Sequence, residues 1–240
     1  MANPSTSSPF ITCEISNDVA LIKWDDTKVN VLSHDTIAAM HEALDRAEEE
    51  AKAVVMIGRP GVFTAGFDLK TIRSSVESAG KLFHDGMELF LRQYEFPMPV
   101  IVACTGHALG AGAIMLMCSD VCIGADVEAK IGMNETALGM AMPRSVVELA
   151  RDRLSIRHVQ SAIFLARLYS PQQAADVGFI DKVVAQEDLE SAALTEAQEL
   201  AEYLSLRAFR GSRRAVRKPV AESIRAKLNE DARTFTADPS

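Results

Sequence analysis

Apolar and polar positions along the chain form two alternating kinds of run. Ile11–Ile15 and Val19–Trp24 are rich in apolar and β-branched residues, and Ser16, Asn17 and Asp18 separate them, which predicts a hairpin. From Ser33 to Ala51 the period changes. Ile37, Met40, Leu44 and Ala47 recur at steps of three and four, so the spacing predicts a helix with one buried stripe, capped by Ser33 or Asp35. Ala53–Ile57, Val100–Cys104 and Asp120–Gly124 are short continuous apolar runs, expected of strands covered on both faces. Lys81–Tyr94 reads as a helix ended by Pro97 and Pro99, and Gly110–Met117 as a helix opening on small residues. Gly58–Gly66 is a loop punctuated by Gly and Pro. Strand, loop, helix and strand therefore recur, which predicts an α/β fold with parallel strands. From Arg144 onward nearly everything suits helix, except a short apolar piece at Phe179–Val184.

Composition narrows the picture. A chain of 240 residues with 48% hydrophobic and 24% charged residues is expected to be soluble and globular, with one or two domains. Its core can be large enough to dispense with disulfides. With 25 Lys+Arg against 33 Asp+Glu, the net charge of −8 leaves no basic surplus to neutralise a nucleic-acid backbone. A small anion held by a few local cations is still compatible with it.

Cys13, Cys104, Cys118 and Cys122 have neither CxxC nor zinc spacing, so they read as buried thiols in a reducing cytoplasm, with no metal site. The opening MANPSTSSPF lacks a basic and an apolar region, so residues 1–9 are expected to be a disordered lead-in rather than a signal peptide. The longest apolar stretch, about residues 97–125, is broken by Gly106, Gly110, Gly112 and Asp120, which argues against a membrane span. Arg207, Arg210, Arg213, Arg214, Arg217 and Lys218 are expected to form a solvated helix face.

Three segments carry candidate chemistry. Arg59 to Lys70 (RPGVFTAGFDLK) and Thr105 to Gly112 (TGHALGAG) each follow a buried strand and are rich in residues with little side chain. Such loops let a ligand approach backbone N–H groups, and two of them at neighbouring strand ends can aim two donors at one oxygen, as an oxyanion hole does. Neither has the Gly-Lys-Ser/Thr of a phosphate loop or the Gly-x-Ser-x-Gly of a nucleophile elbow. Tight turns alone would also account for the glycines. In the third segment, Ile131 to Met140 (IGMNETALGM), a single acid, Glu135, sits among apolar and small residues. Loss of solvation raises the pKa of such a carboxyl toward that of a general base, although a helix cap or an Arg partner would explain it equally well.

Together these segments resemble the crotonase superfamily of acyl-coenzyme A enzymes, over nearly the whole chain as far as Ala174 to Val184 (AADVGFIDKVV), and are most similar to its Δ3,Δ2-enoyl-CoA isomerases. The resemblance implies a crotonase (ClpP-like) α/β fold of repeated ββα units over residues 10–185, with a helical oligomerisation region at 186–240. It also implies a homotrimer or a dimer of trimers.

By the same resemblance, the backbone N–H groups of Phe67 and Ala111 form the oxyanion hole. Glu135 is the acid/base that moves a proton from C2 to C4 of a 3-enoyl-CoA. The position of a hydratase's other glutamate holds Ile114. Lys28, Ala65, Gly66, Asp68, Leu69 and Gly110 are expected to bind substrate, with Lys28 and Lys70 as candidates for the phosphates. The acyl tail is expected against Leu69, Ile72, Phe83, Met87 or Phe90. No separate cofactor is expected, since coenzyme A is part of the substrate, and the resemblance implies a cytoplasmic enzyme of fatty acid metabolism. The alternatives are a hydratase, lyase or hydrolase in which Asp68, Asp85 or Glu88 supplies a second carboxylate, or a non-catalytic acyl-CoA-binding homologue.

Overall fold

The computed structural model describes residues 9–235, so nearly all of the expected disordered lead-in lies outside the described residues. The chain opens with β1 (Ile11–Ser16) and β2 (Val19–Trp24), paired antiparallel. Asn17 and Asp18 join them with φ of 50° and 62°, the left-handed pair that a two-residue hairpin turn needs to match strand twist. After β3 (Val31–Leu32) comes α1 (His34–Glu50). Ser33, rather than Asp35, caps α1, in a reciprocal box with Thr36.

The same unit then recurs. β4 (Ala53–Ile57) leads to β5 (Gly61–Thr64), β6 (Gly66–Phe67), α2 (Leu69–Ser74) and α3 (Val76–Tyr94). β7 (Val100–Cys104) leads to β8 (Gly106–Leu109) and α4 (Ala111–Met117), and β9 (Val121–Ala125) leads to β10 (Ile131–Gly132). The first strands of these units, closed by β11 (Lys182–Val184), form one sheet in the order β1-β2-β4-β7-β9-β11. The second strands form a parallel sheet in the order β10-β8-β5, beside a β3–β6 pair. These stacked ββα units are the arrangement that the resemblance implies. Sequence patterning missed β5, β6 and β8 because they are two to four residues long and lie in glycine-rich segments. It also started α3 five residues late, because Ser75 caps the helix ahead of the periodic part.

The large sheet is covered on both faces. Val54 and Met56 of β4 point into the main core, while Ala53, Val55 and Ile57 point to the other side. There they meet α8 (Leu189–Tyr203) through Leu189, Ala193, Ala197 and Ala201. This stripe at steps of four carries three alanines, so the helix can lie close to the sheet. The other helices of the C-terminal half are α5 (Arg144–Arg153), α6 (Val159–Ile163), α7 (Pro171–Val177) and α9 (Leu206–Thr234). α9 folds back across α3 and α5 of its own chain. Its last turns are tightly docked: the Ser145 N–H donates to Asp231 at 2.7 Å. A Cβ on Gly80 would meet the Ala232 carbonyl oxygen at 2.3 Å, so only glycine permits this crossing. All four cysteines are free and buried.

The basic cluster departs from the sequence reading in part: Arg207, Arg210, Arg214 and Lys218 are exposed as expected, but two members are not. Arg213 and Arg217 are drawn inward onto Asp120 rather than solvated. Arg213 also donates to the carbonyls of Phe96 and Met98, and Arg217 to those of Tyr94 and Ser119. Among the described residues no helix is long and apolar enough to cross a membrane, and no cluster of side chains has the makeup of a metal site.

Candidate active site

Two loop ends meet a third segment at one cavity. The first is β6, whose Gly66 has φ of 90°. A Cβ there would lie 2.7 Å from the Leu109 carbonyl oxygen and 3.3 Å from the Ala111 nitrogen, so glycine is what lets β6 reach the start of α4. The Asp68 N–H donates to Leu32 and the Gly66 N–H to the Thr64 hydroxyl. Successive amides of a strand alternate in direction, so the Phe67 N–H faces away from β3. Ala111 opens α4, so its N–H is one of the amides with no acceptor inside the helix. Gly110 before it adopts φ 54°, ψ −117°, which turns the chain sharply from β8 into α4.

The third segment brings Glu135. It stands before a short 3-10 turn, Thr136–Leu138, and its backbone carbonyl accepts from Leu138 and Met140 at 2.9 Å each. The residue is 8% exposed, and Oε2 is buried with no hydrogen-bond partner among the described residues. Oε1 lies 3.1 Å from where a Cβ of Gly110 would be, so the carboxyl rests against the turn that presents the Ala111 amide. Burial, only partly offset by a hydrogen bond from its own backbone N–H, pushes its pKa up from 4.5 to about 7. The group therefore changes protonation near neutrality, which suits a residue that must both take and return a proton.

The cavity has a volume of about 50 Å³. Of the expected site residues it brings together Ala65, Gly66, Phe67, Leu69, Gly110, Ala111 and Glu135. It does not include Asp68, which is committed to capping α2. Partial burial disfavours the Asp68 anion, but hydrogen bonds from the Thr71 hydroxyl and the Lys70 and Thr71 N–H groups outweigh that, and its pKa falls. Nor does it include Lys28 and Lys70, both exposed side chains outside the cavity wall.

Phe83, Met87 and Phe90, expected along the acyl tail, are core residues no more than 1% exposed. The candidate second carboxylates lie elsewhere too: Asp85 is held by Lys81 at 2.6 Å and His34 at 2.8 Å, and Glu88 is exposed. Among the described residues, Glu135 is the one acid in the cavity wall. Ile114, in α4, is buried at 2% exposure and is not part of the cavity wall.

Sequence reasoning missed Asn134, Leu138, Met140 and, above all, Phe235. The register Ile224, Leu228, Phe235 marks one helix face and could have shown that Phe235 is buried, but not that it reaches a site assembled 100 residues earlier.

Residues 14–240 match the enoyl-CoA hydratase/isomerase family. Human mitochondrial enoyl-CoA delta isomerase 1 is 28% identical over 227 residues, covering 91% of this chain and 74% of that protein. A Bos taurus mitochondrial protein named enoyl-CoA hydratase domain-containing protein 2 is 30% identical over 177 residues, covering 72% of this chain and 60% of its own. A crystal structure of an enoyl-CoA hydratase/isomerase family protein from Pseudomonas syringae superposes with a TM-score of 0.91 at 35% identity, covering 94% of this chain and 98% of that one. Names for both reactions thus occur among the relatives.

Proposed function

The chain belongs to the enoyl-CoA hydratase/isomerase family, and on that premise we propose that it shifts the double bond of a 3-enoyl-CoA to the 2-position. One observation supports this reading: Phe67 and Ala111 line the cavity together with Glu135, its single acid among the described residues. Hydration must orient a water and move protons to and from it, which two carboxylates do well. A double-bond shift needs one base. Glu135 takes the proton from C2, the electron pair delocalises into a thioester enolate conjugated with C3=C4, and the protonated Glu135 returns the proton at C4. Negative charge gathers on the thioester oxygen, where the Phe67 and Ala111 N–H groups stabilise it. Each such donor is worth about 3–4 kcal/mol in the transition state. Ile114, at the position of a hydratase's other glutamate, offers no group that could activate water.

Coenzyme A enters as part of the substrate, its pantetheine along the backbone of Ala65, Gly66 and Leu69. The assembly we propose is a homotrimer or pair of trimers. Exposed Ile156, Phe164 and Leu165 support a self-association surface. Four free buried thiols fit a reducing compartment such as the cytoplasm. The test is direct: purified protein with 3-enoyl-CoA forms 2-enoyl-CoA, while 2-enoyl-CoA in water yields negligible 3-hydroxyacyl-CoA. Robust hydration would sink the isomerase reading, and full activity of Glu135→Gln would remove Glu135 as the base.

A further inference from the structure

The cavity at Glu135 is small for a site that must take an acyl chain. Its volume of about 50 Å³ lies well below the roughly 300–1,000 Å³ of pockets that enclose a whole ligand. Phe235 joins Leu69, Ile72, Leu138 and Met140 as the apolar part of its wall. The Phe235 ring stacks on Phe83 with centroids 4.5 Å apart and meets the Phe67 ring edge-on at 6.1 Å. Phe235 therefore stands between the cavity and Phe83, on the side where the sequence placed the acyl tail.

This ring cannot withdraw by itself. It follows directly on α9, whose last turns are fixed by the Ser145–Asp231 hydrogen bond, by the Gly80–Ala232 crossing and by buried Ile224 and Leu228. Phe67, against which it packs, is itself held by Phe90 at 6.1 Å and sits over Gly86, where a Cβ would lie 2.3 Å from the ring. The aromatic cluster is thus backed on every side that the contacts describe.

We propose that Phe235 is a specificity-determining wall that ends the acyl channel and restricts the site to short acyl chains. The proposal rests on the acyl-CoA reading above and adds to it the substrate's chain-length class. It acts by exclusion: each further methylene would have to displace a packed aromatic ring rather than enter apolar space.

Binding of saturated acyl-CoA thioesters tests it apart from the reaction, because they have no double bond to move. Calorimetric titration of the native protein with butyryl-, octanoyl- and dodecanoyl-CoA should show affinity falling along that series, by about tenfold or more. In Phe235→Ala the order should invert, with dodecanoyl-CoA gaining about tenfold or more relative to butyryl-CoA. Phe235→Leu, which keeps an apolar plug of smaller size and so preserves the docking of α9, should fall between. Native protein that binds dodecanoyl-CoA as tightly as butyryl-CoA overturns the wall, as do variants that leave the preference where it was. A protein that shows the chain-length ladder but moves no double bond keeps the wall and refutes the isomerase. One that binds no thioester refutes both.

Discussion

Asp120 and Glu135 flank β9 and β10, fifteen residues apart, and both carboxylates are largely withdrawn from water. Asp120 is surrounded by donors. Arg213 and Arg217 both reach it, the latter at 3.1 Å, and the Val100 N–H donates to it at 2.8 Å. Glu135 has an oxygen with no partner among the described residues. A buried charge that is paired and hydrogen-bonded ties elements together, here the start of β7, the start of β9 and the first half of α9. A buried carboxyl left unpaired costs the fold stability and gains a pKa near neutrality. The difference separates an acid that holds the structure from one that is poised for proton transfer.

Exchanging each acid should give opposite results. The largest effect expected is on activity. Glu135→Gln keeps shape and burial but removes the base, so kcat/KM for 3-enoyl-CoA should fall by about 10²–10⁴-fold. In the native protein kcat/KM should rise with pH through about 7, where the carboxyl ionises, and the variant should lose this dependence. Next comes Asp120→Ala, which strands the buried Arg213 and should lower unfolding free energy by about 3–5 kcal/mol in urea titrations. Activity per folded molecule should be kept. An Asp120 variant that stays stable but loses catalysis would erase the contrast.

A third effect has the opposite sign. Because folding raises the Glu135 pKa from 4.5 to about 7, the ionised group destabilises the fold. The cost is absent below pH 4.5, grows as pH rises and is complete above about 7. Glu135→Gln should therefore be more stable than the native protein at pH 8, by about 3 kcal/mol, and show no advantage near pH 4. Melting curves at the two pH values check this, and an advantage independent of pH would mean that burial is not the cause.

The two acids were not equally legible in the sequence. Glu135 stood out as one charge in an apolar, glycine-flanked segment, and the small residues of the two loops pointed to close backbone approach. Long strands and amphipathic helices were also readable, because Ala53–Ile57 or the Ile37–Ala47 stripe carries its own period. Asp120 instead read as the edge of an apolar run, and its arginines as a solvated face. Their spacing fits one helix side, but what that side meets is set by the return of α9 across 90 residues, which local pattern does not encode. The same return delivers Phe235 to the cavity. Asp68 shows the converse: it lies in a motif of the site, and its carboxylate is used locally as a cap.

The smallest effect guards the interpretation of the others. Lys52 and Asp18 make an ion pair at 2.8 Å, with side chains 50% and 56% exposed. By distance alone it resembles the Arg217–Asp120 contact. Water solvates both partners once they separate, however, and the long side chain loses freedom when held. Lys52→Met should therefore change unfolding free energy by no more than about 1 kcal/mol, with the small loss fading as salt is added. If it cost as much as Asp120→Ala, proximity rather than burial would set the strength of charge pairs in this fold. The contrast between Asp120 and Glu135 would then have to rest on the number of donors alone. A small cost places the difference in desolvation, the same quantity that raises the Glu135 pKa and makes the unpaired acid usable at neutral pH.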